Sequence, residues 1–119
     1  MSPLAGDPSR LPLFSYGSLR DPDLRAFLLG DRPNLTSLPA TLLGYRRYEM
    51  LDYNYPFVVP APEGTVEGDV LFGLTADDYA VLDAYEDVDQ GIYERVQVTV
   101  QTSRGPLEAW TYVKGPTEP

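Results

Sequence analysis

Between Val96 and Gln101 the chain changes character at every residue: Val96, Val98 and Val100 are apolar, while Gln97, Thr99 and Gln101 are polar. A period of two is the mark of an extended strand with one face in a core and the other in water. The rest of the chain therefore has to supply a sheet. Ser103-Arg104-Gly105-Pro106 turns this strand back, and Leu107 to Val113 reads as the next one. Upstream, Val66, Val70 and Phe72 share one face of an alternating run and Glu67 and Asp69 the other, which gives a further half-buried strand. Phe57-Val58-Val59 reads as a strand ended by Pro60, with Pro62-Glu63-Gly64-Thr65 as a hairpin loop after it and Tyr53-Asn54-Tyr55-Pro56 as a turn before it. Leu38 to Leu51 is extended, with Gly44 at the place of a bulge. Leu11 to Tyr16 is an apolar run that stops at Gly17, in the manner of a buried strand.

Two segments have helical spacing instead. Asp21-Pro22 supplies an N-cap followed by a proline at the first helical position; Leu24, Phe27 and Leu28 then recur at three and four, and Gly30 suits the stop. Thr75 and Asp78 have the spacing of a capping box, with Asp in place of the usual Glu, ahead of a helix of about ten residues on which Tyr79, Leu82 and Glu86 fall on one stripe. The sum is about six strands and two helices. The fold class expected is α+β: a small, strongly curved, mostly antiparallel β-barrel with two flanking helices. At 119 residues this is one domain, expected over 11–114, with a disordered tail at 1–10 and a second tail at 115–119.

The chain contains no cysteine and no histidine. That removes thiol nucleophiles, the Ser-His-Asp triad and the commonest metal ligands, so no metal site and no cofactor is expected. Acid–base work near neutral pH falls to a carboxylate, a tyrosine or a lysine with a displaced pKa. A formal charge of −9 argues against nucleic acid as a partner. No run approaches the length of a membrane span and no signal pattern opens the chain, so a cytoplasmic protein is the expectation. With the apolar face of the Leu11 to Phe14 strand used internally, nothing obvious is left for a large interface and a monomer is expected.

Glu86 is the carboxylate that stands out, because it lies on the apolar stripe of its helix, four residues after Leu82. Loss of water there raises a carboxyl pKa into the range of a general base. The alternative is a frayed helix end whose last Glu reaches solvent. Tyr16-Gly17-Ser18-Leu19 joins the first strand to the first helix; its amides suit an oxyanion or a carboxylate, and plain turn chemistry is the other account. Ser18 lacks a histidine to activate it as a nucleophile. Tyr93 and Arg95 reach back towards Glu86 or else form an aromatic plug and an ion pair at the start of a strand. Trp110 and Tyr112 line a pocket or fill the core, and Arg46 and Arg47 are read as solvated strand charges without a role.

Several segments in order carry a resemblance: Leu-Phe-Ser-Tyr-Gly-Ser-Leu-Arg-Asp-Pro at 13–22, Tyr-Pro-Phe-Val-Val-Pro at 55–60, Val-Glu-Gly-Asp-Val-Leu at 66–71, Leu-Asp-Ala-Tyr-Glu at 82–86 and Tyr-Glu-Arg-Val at 93–96. Together they resemble the gamma-glutamylcyclotransferase superfamily, in its branch of gamma-glutamylamine cyclotransferases and avirulence-induced plant proteins. The resemblance implies a small β-barrel flanked by helices. It implies Glu86 as the catalytic acid–base and Tyr16, Gly17, Ser18 and Leu19 as the substrate-binding loop, with Tyr93 and Tyr112 beside them. The activity implied is release of 5-oxoproline from a gamma-glutamyl amine or amino acid. A gamma-glutamyl hydrolase using Glu86, or a non-catalytic small-ligand module on the same fold, are the alternatives.

Overall fold

The computed structural model describes residues 11–31, 35–49 and 56–115. In chain order the elements are β1 (Leu13–Ser15), α1 (Pro22–Leu29), β2 (Thr36–Glu49), β3 (Pro56–Phe72), α2 (Ala76–Tyr85), β4 (Tyr93–Thr102) and β5 (Gly105–Lys114). Short 3-10 turns at Ser18–Arg20 and Val88–Gln90 follow β1 and α2. Residues 53–55 of the expected turn and the expected tails at 1–10 and 116–119 lie outside the described residues, and Pro56, expected to end that turn, begins β3. Gly115, at the edge of the expected C-terminal tail, is buried, and its N–H donates to Ile92 O at 2.8 Å.

The strands close into a barrel in the order β1-β3-β2-β4-β5. Every pairing is antiparallel except β1 with β5, which is parallel and in register at Leu13 and Trp110. Among the described residues the sheet thus has five strands, one fewer than expected. Phe57–Val59 and Val66–Phe72 are parts of the single strand β3, which pairs with β2 on both sides of an irregularity. The residues read as a hairpin loop form a wide bulge: Leu43 pairs with Thr65 and Tyr45 with Pro60, so Ala61 to Gly64 stand opposite Gly44 alone. Gly44 takes φ +85°, and a Cβ on Gly64 would lie 2.2 Å from Tyr45 O, so both glycines are required at the bulge. The prolines break the local pairing without reversing the chain, because β2 continues as partner on the far side.

Alternation along the strands divides the core in two. Phe14, Leu42, Val58, Val66, Val70, Val98 and Val100 point into the barrel, while Leu13, Phe57, Leu71, Tyr93 and Tyr112 point out and are covered with the help of Tyr79 and Leu82 of α2. Leu82 is 1% exposed, a burial worth about 1.5–3 kcal/mol. The Thr75–Asp78 capping box is present in full: Thr75 Oγ1 accepts from Asp78 N at 3.2 Å and Asp78 Oδ2 accepts from Thr75 N at 2.8 Å. It fixes the start of α2 and hence where its end falls.

The other helix is held less firmly. Asp21 caps α1 and Gly30 ends it at φ +81°, as expected, but α1 buries no residue fully and Phe27, placed by its spacing on the apolar stripe, is 85% exposed. Leu24, Leu28 and Leu29 supply the helix's contact with the outer core, and a stripe that narrow has no room for Phe27.

Candidate active site

At the end of the barrel where β1 leaves the sheet and α2 stops, a cleft of about 120 Å³ opens between the two. One wall is the loop after β1, with Tyr16, Gly17 and Leu19; the other is the end of α2, with Tyr85, Glu86 and Asp87; Tyr93 and Tyr112 close it from β4 and β5. Six of the seven expected site residues therefore line one cavity. The Ser18 side chain lies outside what the structure describes.

Glu86 is the C-cap of α2, at φ −86° and ψ 5°, with its N–H donating to Leu82 O at 2.9 Å. The next residue, Asp87, takes the left-handed conformation at φ 55°, which residues other than glycine, asparagine and aspartate rarely adopt. The chain thus turns off the helix at the point where Glu86 meets the cleft, and the Glu86 side chain is only partly open to water. Burial, and then the charge of Asp87, push its carboxyl up to about 7. At neutral pH such a group is divided between its acid and its base, the condition in which one carboxyl can take a proton and return it. The frayed-end account of Glu86 does not fit this burial.

The loop wall is built differently. Tyr16 is buried and its hydroxyl donates to the carbonyl of Tyr112. Burial, then Tyr93 and Glu86 nearby, push its phenol far up, so it stays a neutral donor. Two guanidinium groups hold loop carbonyls: Arg47 Nη1 donates to Tyr16 O at 3.0 Å, and Arg25 Nη1 donates to Leu19 O at 2.9 Å. Among the described residues the N–H groups of Gly17 and Leu19 have no acceptor. A loop with its carbonyls engaged and two N–H groups unspent has donors available for an anionic ligand group.

Arg47 is exposed, as expected of a strand charge, but it is not without a role, because it holds the loop at Tyr16 O. Its partner is 31 residues away in sequence, so strand pattern carried no signal of it. Gly68 was also overlooked: a Cβ there would lie 2.3 Å from Ser15 O, so only glycine lets β1 approach β3 and deliver the loop to the cleft.

The remaining expected residues sort clearly. Tyr93 is buried against Phe57, ring centroids 4.9 Å apart, and also faces the cavity. Tyr112 lines the cavity while its hydroxyl donates to Asp83 Oδ1 at 2.7 Å; burial and then that bond and the Asp83 charge push its phenol far up. Arg95 takes the ion-pair alternative: Nε meets Asp83 Oδ1 at 2.9 Å and Nη2 meets Oδ2 at 3.2 Å, and the guanidinium stacks on the rings of Tyr79 and Trp110 at 4.7 and 4.5 Å. Trp110 packs on Arg95 and does not line the cavity. Among the described residues no group of three or more carboxylates is placed to hold a metal ion.

The chain is similar to known proteins in sequence and in fold. A family model described as "Gamma-glutamyl cyclotransferase, AIG2-like" matches residues 13–119. AIG2-like protein A of Arabidopsis thaliana is 41% identical over 88 residues, 74% of this chain and 50% of that protein. AIG2-like protein D of the same plant is 38% identical over 113 residues, 92% of this chain and 71% of that protein. The chain therefore spans between 50% and 71% of these relatives' length. A solution structure of an Arabidopsis thaliana protein superposes with a TM-score of 0.76 at 34% identity, over 95% of this chain and 75% of that one. A solved gamma-glutamyl cyclotransferase gives a TM-score of 0.73 at 18% identity over 91% of this chain and 68% of that one, a likeness of fold. With the match running from the first residue of β1 through the loop, the barrel and the end of α2, the chain belongs to the gamma-glutamyl cyclotransferase, AIG2-like family.

Proposed function

We propose that this chain releases 5-oxoproline and a free amine from a gamma-glutamyl amine or gamma-glutamyl amino acid, with Glu86 as the acid–base. The observation that carries the reading is the position of Glu86: a partly buried carboxyl, pushed up to about 7, on the cavity wall that faces the Tyr16–Leu19 loop.

The chemistry follows from what the cavity offers. Ionised Glu86 takes a proton from the α-ammonium of the gamma-glutamyl group. The freed nitrogen attacks the γ-carbonyl carbon, forming the ring C–N bond and placing negative charge on the carbonyl oxygen. As the tetrahedral centre collapses, the bond to the departing nitrogen breaks and Glu86 returns its proton there. A second proton passes from the ring nitrogen to the departing amine, leaving a lactam N–H and an alkylammonium ion. The nucleophile belongs to the substrate, so a chain with neither cysteine nor histidine suffices. Holding the reacting ends together is worth about 7–11 kcal/mol in well-oriented intramolecular reactions. Acid–base assistance adds roughly 10²–10⁴-fold. The N–H groups of Gly17 and Leu19 serve either the oxyanion or the substrate α-carboxylate.

The test is incubation of the purified protein with gamma-glutamyl-ε-lysine, two gamma-glutamyl amino acids and glutathione, with Glu86→Gln alongside, reading products by mass spectrometry. Formation of 5-oxoproline that is lost in Glu86→Gln is the expected result. Free glutamate in its place would mean hydrolysis, and no product from a folded protein that still binds these compounds would mean a binding module.

A further inference from the structure

Asp83 does not line the cavity, yet it joins the parts that do. It sits on α2 three residues before Glu86, so the two lie about one helical turn apart on neighbouring faces. Its Oδ1 accepts from the Tyr112 hydroxyl at 2.7 Å, and both its oxygens accept from Arg95, at 2.9 and 3.2 Å. Each donor is itself fixed. Arg95 stacks between Tyr79 and Trp110, and the Tyr79 hydroxyl donates to Leu11 O at 2.7 Å. Tyr112 lies on the cavity wall, and its carbonyl is the acceptor of the Tyr16 hydroxyl. One carboxylate thus links the last turn of α2, two strands of the barrel and, through Tyr112, the root of the substrate loop.

A carboxylate one turn before the helix C-terminus is unfavourable to the helix on its own, since that end carries partial negative charge. The bidentate Arg95 offsets this and leaves Asp83 with a fixed direction. Asp83 and Arg95 side chains are 28% and 25% exposed, so the pair is neither a loose surface bridge nor an expensive fully buried one. Neither Asp83 nor Arg95 is among the causes that displace Glu86. Its effect on Glu86 is one of place.

We infer that Asp83 is a positioning residue of this site: by binding Tyr112 and Arg95 at once, it holds the Glu86 end of α2 at a fixed distance from the wall that carries the substrate. The inference rests on the cyclotransferase reading of Glu86, and the experiment separates the two. Asp83→Asn, Tyr112→Phe and the double variant are compared with the parent protein for kcat and KM on whichever gamma-glutamyl compound is turned over, at a temperature where unfolding curves show each to be folded. Misplacement of a reacting group by an ångström can cost on the order of 10²-fold. Each single variant is expected to lose roughly 10–100-fold in kcat with KM within about threefold, and the double variant to fall no further than Asp83→Asn, because both changes weaken one network: Phe removes the Tyr112 donor, and Asn keeps an acceptor but loses the charge and the second oxygen that fix it on Arg95. A parental kcat in folded Asp83→Asn, or losses that multiply in the double variant, would overturn it. Amide hydrogen exchange supplies a readout that needs no turnover. The N–H groups of Glu86 and Asp87, which donate to Leu82 O and Ala84 O, should exchange at least about tenfold faster in Asp83→Asn while that of Tyr79 is unchanged. If the parent protein makes no 5-oxoproline, the cyclotransferase reading falls, and unchanged exchange at Glu86 and Asp87 would then sink the Asp83 inference as well.

Discussion

The two walls of the cleft are held by opposite means. The loop wall, Tyr16 to Leu19, is fixed through its backbone: Arg47 and Arg25 occupy its carbonyls, the Tyr16 hydroxyl is tied to Tyr112 O, and no carboxylate belongs to it. The α2 wall is fixed through side chains, with Asp83 bound to Arg95 and Tyr112, and it presents two acidic groups, Glu86 and Asp87. A wall of donors opposite a wall of acids divides the labour. The first is suited to hold an anionic part of a ligand, the second to move its protons. The division also shows in what each wall costs the fold, since hydrogen-bonded carbonyls stabilise it while a half-desolvated carboxylate opposes it.

Glu86→Gln should break this comparison most severely, and in two directions. Turnover should fall roughly 10²–10⁴-fold with binding retained. Stability should move the other way at high pH. Burial lifts the Glu86 carboxyl from 4.5 in the unfolded chain to about 7 when folded. The folded state therefore binds the proton more tightly, so its contribution is fully present below about 4.5 and is lost as the pH rises through about 7. Gln cannot ionise. Chemical denaturation at pH 8 should find Glu86→Gln more stable than the parent by roughly 3 kcal/mol, the difference fading towards pH 4. Equal stabilities at pH 8 would mean that Glu86 is solvated and that the walls differ less than described.

Arg47→Met tests the other wall, with a smaller effect. Arg47 is an exposed residue whose bond to Tyr16 O is part-buried, and such a bond is worth about 1 kcal/mol. Loosening the loop without touching Glu86 should raise KM roughly fivefold and leave kcat within about twofold, the reverse of the pattern expected for Asp83→Asn. A fall in kcat alone would show that the loop amides act on the transition state and not on bound substrate.

How much of this could be seen in the sequence depended on the range of the interaction. Glu86 was legible because its apolar neighbours lie within one helix, four residues away, and the capping box at Thr75 located that helix. The barrel was legible from alternation in β4 and β5, but the strand count was not. Pro60, Pro62 and Gly64 are local breakers, and only the pairing with β2 shows that the chain runs on past them. Phe27 followed helical spacing to the wrong conclusion, since spacing gives the direction of a stripe and not the width of surface available to cover it. Arg47 and Gly68 were missed for the same reason as each other: what they meet, Tyr16 O and Ser15 O, is far away in the chain and made of backbone, which leaves no trace in the sequence pattern. Asp83 had a faint signal, four residues after Tyr79 and three before Glu86, but its partners lie on β4 and β5.

Asp87→Asn should have the smallest effect and the sharpest meaning. Asn is tolerated in the left-handed conformation that residue 87 adopts, so the turn off α2 should keep its shape while one charge on the acidic wall disappears. That charge is the second cause, after burial, of the displaced Glu86 carboxyl. Since Glu86 must be ionised to take the substrate's proton, kcat/KM should rise with pH along a limb centred at about 7 in the parent. In Asp87→Asn the limb should move to lower pH and stay above the ordinary carboxylate range, because burial remains. At pH 6 the variant would then be the faster enzyme. A limb that does not move would assign the whole displacement to burial and make Asp87 a backbone device. A limb that falls all the way to the ordinary range would make the acidic pair, and not the desolvated single carboxyl, the unit that moves protons on this wall.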